Sequence, residues 1–328
     1  MIKRFFTLLL GALILLCGCT EVDEISEESV SEETTVTEEP AYPVTAGGLT
    51  FNSTPETVGS LSPAVTEMLF ELGFGDRLVC RSEYCKYPEA ALNITSAGSS
   101  ANPDIDGIIS LSPALLITQS PIANKDITRL NRSGTAVLSL PAPRSDEELL
   151  ENYRTLSLIF SGNTEGEALA DSVTADFRAA LDEAKGSCES LVFIMNITED
   201  GFSAATGDSF AGEYASHFGR NIAADNKSMT LTAEELIKAD PQVILLAHPL
   251  GSEDIDPEIS SQLSAFADSH VFVIDASLTE RPTARLAKIT RTISETVRAD
   301  TGGADYAEIP EAPSEQSETV EDSADVNE

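Results

Sequence analysis

Between residues 47 and 302, short runs of β-branched and apolar residues alternate with stretches whose apolar positions recur every three or four residues. The runs predict strands over 56–61, 77–82, 114–118 and 135–140, then over 190–196, 242–247 and 270–275. Strand and helix signals alternating in this way are the pattern of an α/β fold built on parallel sheets. Helix starts are marked as well. Ser62-Pro63 places a capping hydroxyl and a Pro at the first helical position, and Gly73 closes that helix. Ser145 with Glu148, Thr164 with Glu167 and Thr232 with Glu235 have the spacing at which hydroxyl and carboxylate cap each other's backbone donors.

From Thr164 to Lys185 the chain runs without Pro and sets Leu169, Val173, Phe177, Ala180, Leu181 and Ala184 on one stripe. Such a helix would be about 30 Å long at ~1.5 Å per residue, enough to connect two lobes rigidly. The expected architecture is two α/β lobes joined by a single long rigid helix, with a ligand cleft between them. An N-terminal lobe over 47–163, a bridging helix over 164–187 and a C-terminal lobe over 188–302 follow. The halves echo each other. Asp104-Ile105-Asp106-Gly107-Ile108-Ile109 leads to Pro113 and an apolar strand, and Thr232-Ala233-Glu234-Glu235-Leu236-Ile237 leads to Pro241 and another.

Lys3 and Arg4 precede an apolar run too short to span a bilayer, which matches a secretory signal. The signal segment over 1–19 ends in Leu16-Cys17-Gly18-Cys19, which resembles the lipobox of bacterial lipoproteins and makes Cys19 the expected lipidation site and first residue once the peptide before it is removed. Net charge is −35, and nucleic acid is excluded as a partner on that ground. Half of the excess sits in two segments with nine acids and no base each, 20–46 and 303–328. Both are expected to be an acidic, disordered linker and tail. With Cys17 cleaved and Cys19 acylated, Cys80, Cys85 and Cys188 remain, so at least one thiol is unpaired.

Ser60-Leu61-Ser62-Pro63-Ala64-Val65-Thr66-Glu67, Leu72-Gly73, Asp76-Arg77-Leu78-Val79 and Tyr87-Pro88 resemble the first lobe of substrate-binding proteins of iron-siderophore, haem and vitamin B12 ABC importers. Thr206-Gly207-Asp208-Ser209, Gly219-Arg220-Asn221-Ile222 and Arg281-Pro282-Thr283-Ala284-Arg285-Leu286 extend the resemblance into the second lobe, over about residues 56–299. It implies a monomeric, extracytoplasmic, lipid-anchored receptor that carries a metal-chelate, corrinoid or haem-like ligand to an ABC permease and its ATPase, with no cofactor of its own. Two departures leave the ligand open: Ala114 stands where the family often has Asp, and the chain contains no Trp to pack a corrin.

The resemblance and the rule that α/β sheets bind ligands at strand carboxyl ends nominate Tyr84, Ser99, Ser100, Gln119 and Ser120 in the first lobe. In the second they nominate Phe202, Ser228, Met229, Ser277, Leu278 and Arg281, with Phe202 as the expected stacking face. In the B12-binding members a carboxylate on each lobe pairs with permease arginines, and Asp106 and Glu234 occupy those positions. No metal site is expected, because His217, His248 and His270 all follow residue 189 and a histidine cage across the cleft cannot be built. Two alternatives remain: a receptor for a non-metal solute, and a surface hydrolase. Gly207-Asp208-Ser209-Phe210 resembles the Gly-Asp-Ser-Leu start of an esterase family, yet no Asp-x-x-His follows to supply a base. An enzyme is therefore not expected.

Overall fold

A computed structural model describes residues 41–299; the signal segment with Cys19, most of the acidic linker and the tail over 303–328 lie outside the described residues. Four parallel strands form the first sheet in the order β4-β3-β5-β6: β3 (Val58–Ser60), β4 (Leu78–Arg81), β5 (Leu115–Thr118) and β6 (Ala136–Ser139). Its connecting helices are α1 (Pro63–Glu71), α2 (Ile105–Leu111) and α3 (Asn124–Arg132). The second sheet runs β10-β8-β7-β11-β12, with β9 beside β7. Its strands are β7 (Ser190–Thr198), β8 (Gly201–Ala204), β9 (Arg220–Asn221), β10 (Thr230–Leu231), β11 (Val243–His248) and β12 (Val271–Asp275). Around it lie α5 (Phe210–Phe218), α6 (Ala233–Ala239), the single turns α7 (Pro257–Ser260), α8 (Ser264–Ala267) and α9 (Ser277–Glu280), and α10 (Leu286–Ala299).

All seven expected strands are present within about two residues of their predicted bounds. β5 and β11 are buried along almost their whole length, as expected of apolar runs covered on both faces. Ser62 caps α1 through the amide of Val65, and Thr232 and Glu235 complete the reciprocal cap of α6. The echo between the halves extends to the backbone. Both α2 and α6 have seven residues and end on a left-handed non-glycine residue, Ser112 (φ 48°) and Asp240 (φ 38°), each followed by Pro.

Two expectations change. The linker does not extend to residue 46. Tyr42 donates its hydroxyl to the Ile159 carbonyl at 2.9 Å, and β1 (Val44–Ala46) pairs antiparallel with β2 (Leu49–Phe51). Gly47 and Gly48, at φ +57° and +78°, make a two-residue turn of the kind that left-handed residues permit. Val44 and Phe51 then pack on the core.

The helical run α4 (Asp146–Ala184) absorbs both the helix capped by Ser145 and the expected bridging helix, and it is broken only at Gly162 (φ 78°, ψ −178°). Beyond the break, Gly166 lies so close to the preceding arm that a Cβ would meet Leu158 Cα at 2.8 Å, so the chain doubles back there. The second arm buries Gly166, Ala170, Thr174, Phe177, Leu181 and Ala184. That stripe is shifted at its start from the expected one, because close approach of the arms needs the small residues rather than Leu169 and Val173. α10 packs along this arm, where Arg291 reaches Asp176 and Glu183, both at 2.8 Å.

Candidate functional site

The loop after β4 is held by Arg81. Its guanidinium is buried and donates to the carbonyls of Ala91 (2.8 Å) and Ser82 (2.9 Å), fixing both ends of the segment that carries Tyr84 and Tyr87. The two tyrosines consequently stand out of the surface, Tyr84 at 56% exposure. Two neighbouring exposed rings on one held loop provide a contact area for an incoming ligand.

At the floor between the lobes the loop after β12 meets α1 and α4. Arg285 lies 3.3 Å from Glu67 and stacks over the Tyr87 ring at 4.1 Å from its centroid. Alongside, the Tyr153 hydroxyl donates to the Glu71 carboxylate and accepts the Ala284 amide at 2.8 Å. Burial pushes the Glu67 carboxyl up to about 7, against the opposing pull of Arg285 and with a smaller push from Glu71. Burial likewise raises Glu71, offset in part by the Tyr153 hydroxyl. A carboxylate this buried is costly to ionise unless paired. Arg285 is its cation, and it comes from the other lobe. Sequence reasoning read Glu67 and Arg285 only as motif residues and attached no role to Tyr153.

The nominated residues fall into two groups. Tyr84 and Met229 are the open ones, with Met229 at 57% exposure on a left-handed backbone (φ 56°). Ser100, Ser120, Ser277 and Arg281 are half-buried, and Ser228 is exposed in a turn where its hydroxyl bonds Asn226 and the Thr230 carbonyl. Gln119 is engaged on both sides, accepting from the Ser62 hydroxyl and donating to the Pro141 carbonyl at 3.3 Å. Ser99 is buried and accepts the Asn102 amide at 3.0 Å, which gives it a turn to hold. Phe202 and Leu278 do not offer a ligand-facing side chain. Phe202 is 4% exposed and belongs to the core with Val192, Ile194 and Leu236, because it is on the inward face of β8. Leu278 packs into the larger core from α9. The stacking face expected of Phe202 is thus absent.

Ser209 caps α5. It donates to the Thr206 carbonyl (2.7 Å) and accepts the Gly212 amide (3.2 Å), a structural role for the Gly-Asp-Ser run. His248 is exposed at the end of β11, whereas His270 is buried with neither nitrogen hydrogen-bonded. Cys80, Cys85 and Cys188 are free and buried, and burial raises all three thiols above their ordinary range. They are therefore poor nucleophiles.

Two α/β units meet at the buried Glu67–Arg285 pair, the two-lobe architecture of a binding protein. Residues 58–278 match the profile of the periplasmic binding protein family, and the chain belongs to that family. The ABC transporter substrate-binding lipoprotein YvrC of Bacillus subtilis is 25% identical over 308 residues, covering 89% of this chain and 96% of its own. The vitamin B12-binding protein of Vibrio cholerae is 27% identical, over 70% of this chain and 84% of its own. Among solved structures, the periplasmic vitamin B12-binding protein BtuF of Vibrio cholerae superposes with a TM-score of 0.60 at 22% identity, over 76% of this chain and 99% of its own. The haem-binding protein HutB of the same organism gives 0.60 at 19%, over 72% and 98%.

Proposed function

We propose that the protein is the extracytoplasmic substrate-binding component of an ABC importer and that it captures an iron-siderophore, corrinoid or haem-like ligand between its lobes. The observation that carries this reading is the pair of open aromatic side chains, Tyr84 and Tyr87, rigidly presented by Arg81 beside the interlobe floor of Glu67 and Arg285. Membership of the periplasmic binding protein family supports it, as do relatives named for vitamin B12 and for ABC transport. Ser100, Ser120, Ser228, Ser277 and Arg281 supply polar contacts around the aromatic ones.

Tyr84→Ala is expected to weaken ligand binding by about 1–3 kcal/mol, the range for losing a large apolar contact, while the melting temperature stays near that of the parent because an exposed ring contributes little to folding. Titration of parent and variant with the cognate ligand checks both halves of the statement.

The lipobox-like Leu16-Cys17-Gly18-Cys19 supports attachment to the membrane through Cys19. Among the described residues no helix is long and apolar enough to cross a membrane. Cys19→Ser should move the protein from the membrane fraction to the soluble fraction with its fold retained, read by fractionation and circular dichroism.

Delivery follows from the echo of the lobes. Asp106 and Glu234 are each the second residue of their helix, exposed, one per lobe. These carboxylates are proposed to meet permease arginines. Asp106 is already paired with Arg129, so Glu234→Ala should slow uptake more than Asp106→Ala, with ligand affinity unchanged in both.

A further inference from the structure

Ser145 caps α4 through the Glu148 amide, which makes Asp146 the first residue of that helix. On α5, Glu213 and His217 stand four residues apart and share one face. The three side chains meet where the start of α4 crosses α5. His217 Nε2 lies 3.4 Å from Glu213 Oε1 and 3.6 Å from Asp146 Oδ2, and one ligand atom from each residue falls within 4.8 Å of the others. The second oxygen of Glu213 accepts the Asp146 amide at 3.3 Å, and this fixes which oxygen faces the imidazole.

We propose that Asp146, Glu213 and His217 form a binding site for a divalent transition cation of the zinc class, outside the residues assigned to ligand capture. Zinc takes imidazole nitrogen and carboxylate oxygen at ~2.0–2.2 Å in a tetrahedron, whose ligand-to-ligand edges are then about 3.3–3.5 Å. The Glu213 separation of 3.4 Å matches such an edge and the Asp146 separation of 3.6 Å is slightly longer, so a small inward shift of the carboxylates closes the three groups on a cation. Nε2 of His217 is buried and faces both carboxylates without a hydrogen bond of good geometry to either. Once its proton is released, Nε2 presents a lone pair between the two carboxylate oxygens, and a cation held there also removes the repulsion between the acids. Lys185, at the end of α4, is committed to Asp182 at 2.5 Å and does not supply that charge. The three ligands are each half-buried, which leaves solvent access and a fourth position for water. Such an ion would clip the helix that follows the first sheet to a helix of the second lobe.

The expectation of no metal site rested on the absence of histidine from the first lobe. Asp146 removes the need for one, since a carboxylate completes the set with a Glu and His spaced four apart.

The test is calorimetric titration of the chelator-stripped full-length protein with Zn²⁺, repeated with Glu213→Gln and His217→Ala after circular dichroism confirms their folds. Asp146→Asn serves as a third variant should either of these misfold. One Zn²⁺ per molecule is expected, with at least a tenfold loss of affinity in each variant. Saturating Zn²⁺, at about a hundredfold above Kd, should raise the parent's melting temperature by about 5 °C and leave Glu213→Gln unmoved. Co²⁺ should give the visible absorption of a tetrahedral site in the parent and lose it in both variants. The proposal is overturned by Zn²⁺ binding that does not saturate below millimolar concentration, or by saturable binding that all folded variants retain.

Discussion

Replacing Tyr153 by Ala is expected to remove about 3–5 kcal/mol of folding stability, the cost typical of deleting a large buried aromatic side chain. The ring is fully buried in the larger core, on the first arm of α4, among residues of both lobes. Its hydroxyl does separate work. It accepts the Ala284 amide, on the loop before α10, and donates to Glu71 on α1. Tyr153→Phe isolates that second contribution. The ring stays, the Ala284 amide and Glu71 lose their partner, and the loss should be about 1–3 kcal/mol. Denaturant melts of the two variants separate packing from hydrogen bonding. If Tyr153→Phe matched the parent, the hydroxyl would hold nothing between the lobes.

Stability should also depend on pH through Glu67. Burial raises its carboxyl from 4.5 to about 7 in the native state, whereas the unfolded chain titrates near the ordinary value. Between those two points the native state holds a proton that the unfolded state has released. Stability contributed by the neutral acid is therefore complete below about pH 4.5 and is lost as pH rises towards 7, a total on the order of 3 kcal/mol. Glu67→Gln imitates the neutral form and should flatten that part of the profile. Glu71 is raised in the same direction, so the relevant quantity is the difference between parent and variant curves. Parallel curves for the two proteins over pH 4.5–7 would show that Glu67 titrates normally.

Strands β5 and β11 were legible in the sequence because each is an apolar run buried on both faces, and β3, β4, β6, β7 and β12 because short apolar or β-branched runs stand between helix and turn signals. The caps at Ser62 and Thr232 were equally legible, since their chemistry is local. β8, β9 and β10 are two to four residues long and owe their conformation to pairing with β7 or with one another, which no local signal announces. The β1–β2 hairpin did carry a signal. Gly47-Gly48 between alternating apolar residues is a hairpin turn, but the acidic composition on its N-terminal side masked it.

The site was legible in part. Tyr84 could be placed after a strand end, where loops carry binding residues. Phe202 and Leu278 were misplaced because a one-residue error in register exchanges the inward and outward faces of a strand, and a similar shift on a helical turn does the same. The pairing of Glu67 with Arg285 joins segments from opposite ends of the chain, and only the assembled lobes bring them together. Asp146, Glu213 and His217 converge for the same reason.

Capture of a metal-chelate or tetrapyrrole-like ligand is tested most directly by titration calorimetry of the purified protein against cobalamin, haem and a ferric hydroxamate siderophore. One of the three should bind with a stoichiometry of one and micromolar or tighter affinity, and Tyr84→Ala should weaken that binding. Saturable binding of none of them, with the protein folded, would contradict the account.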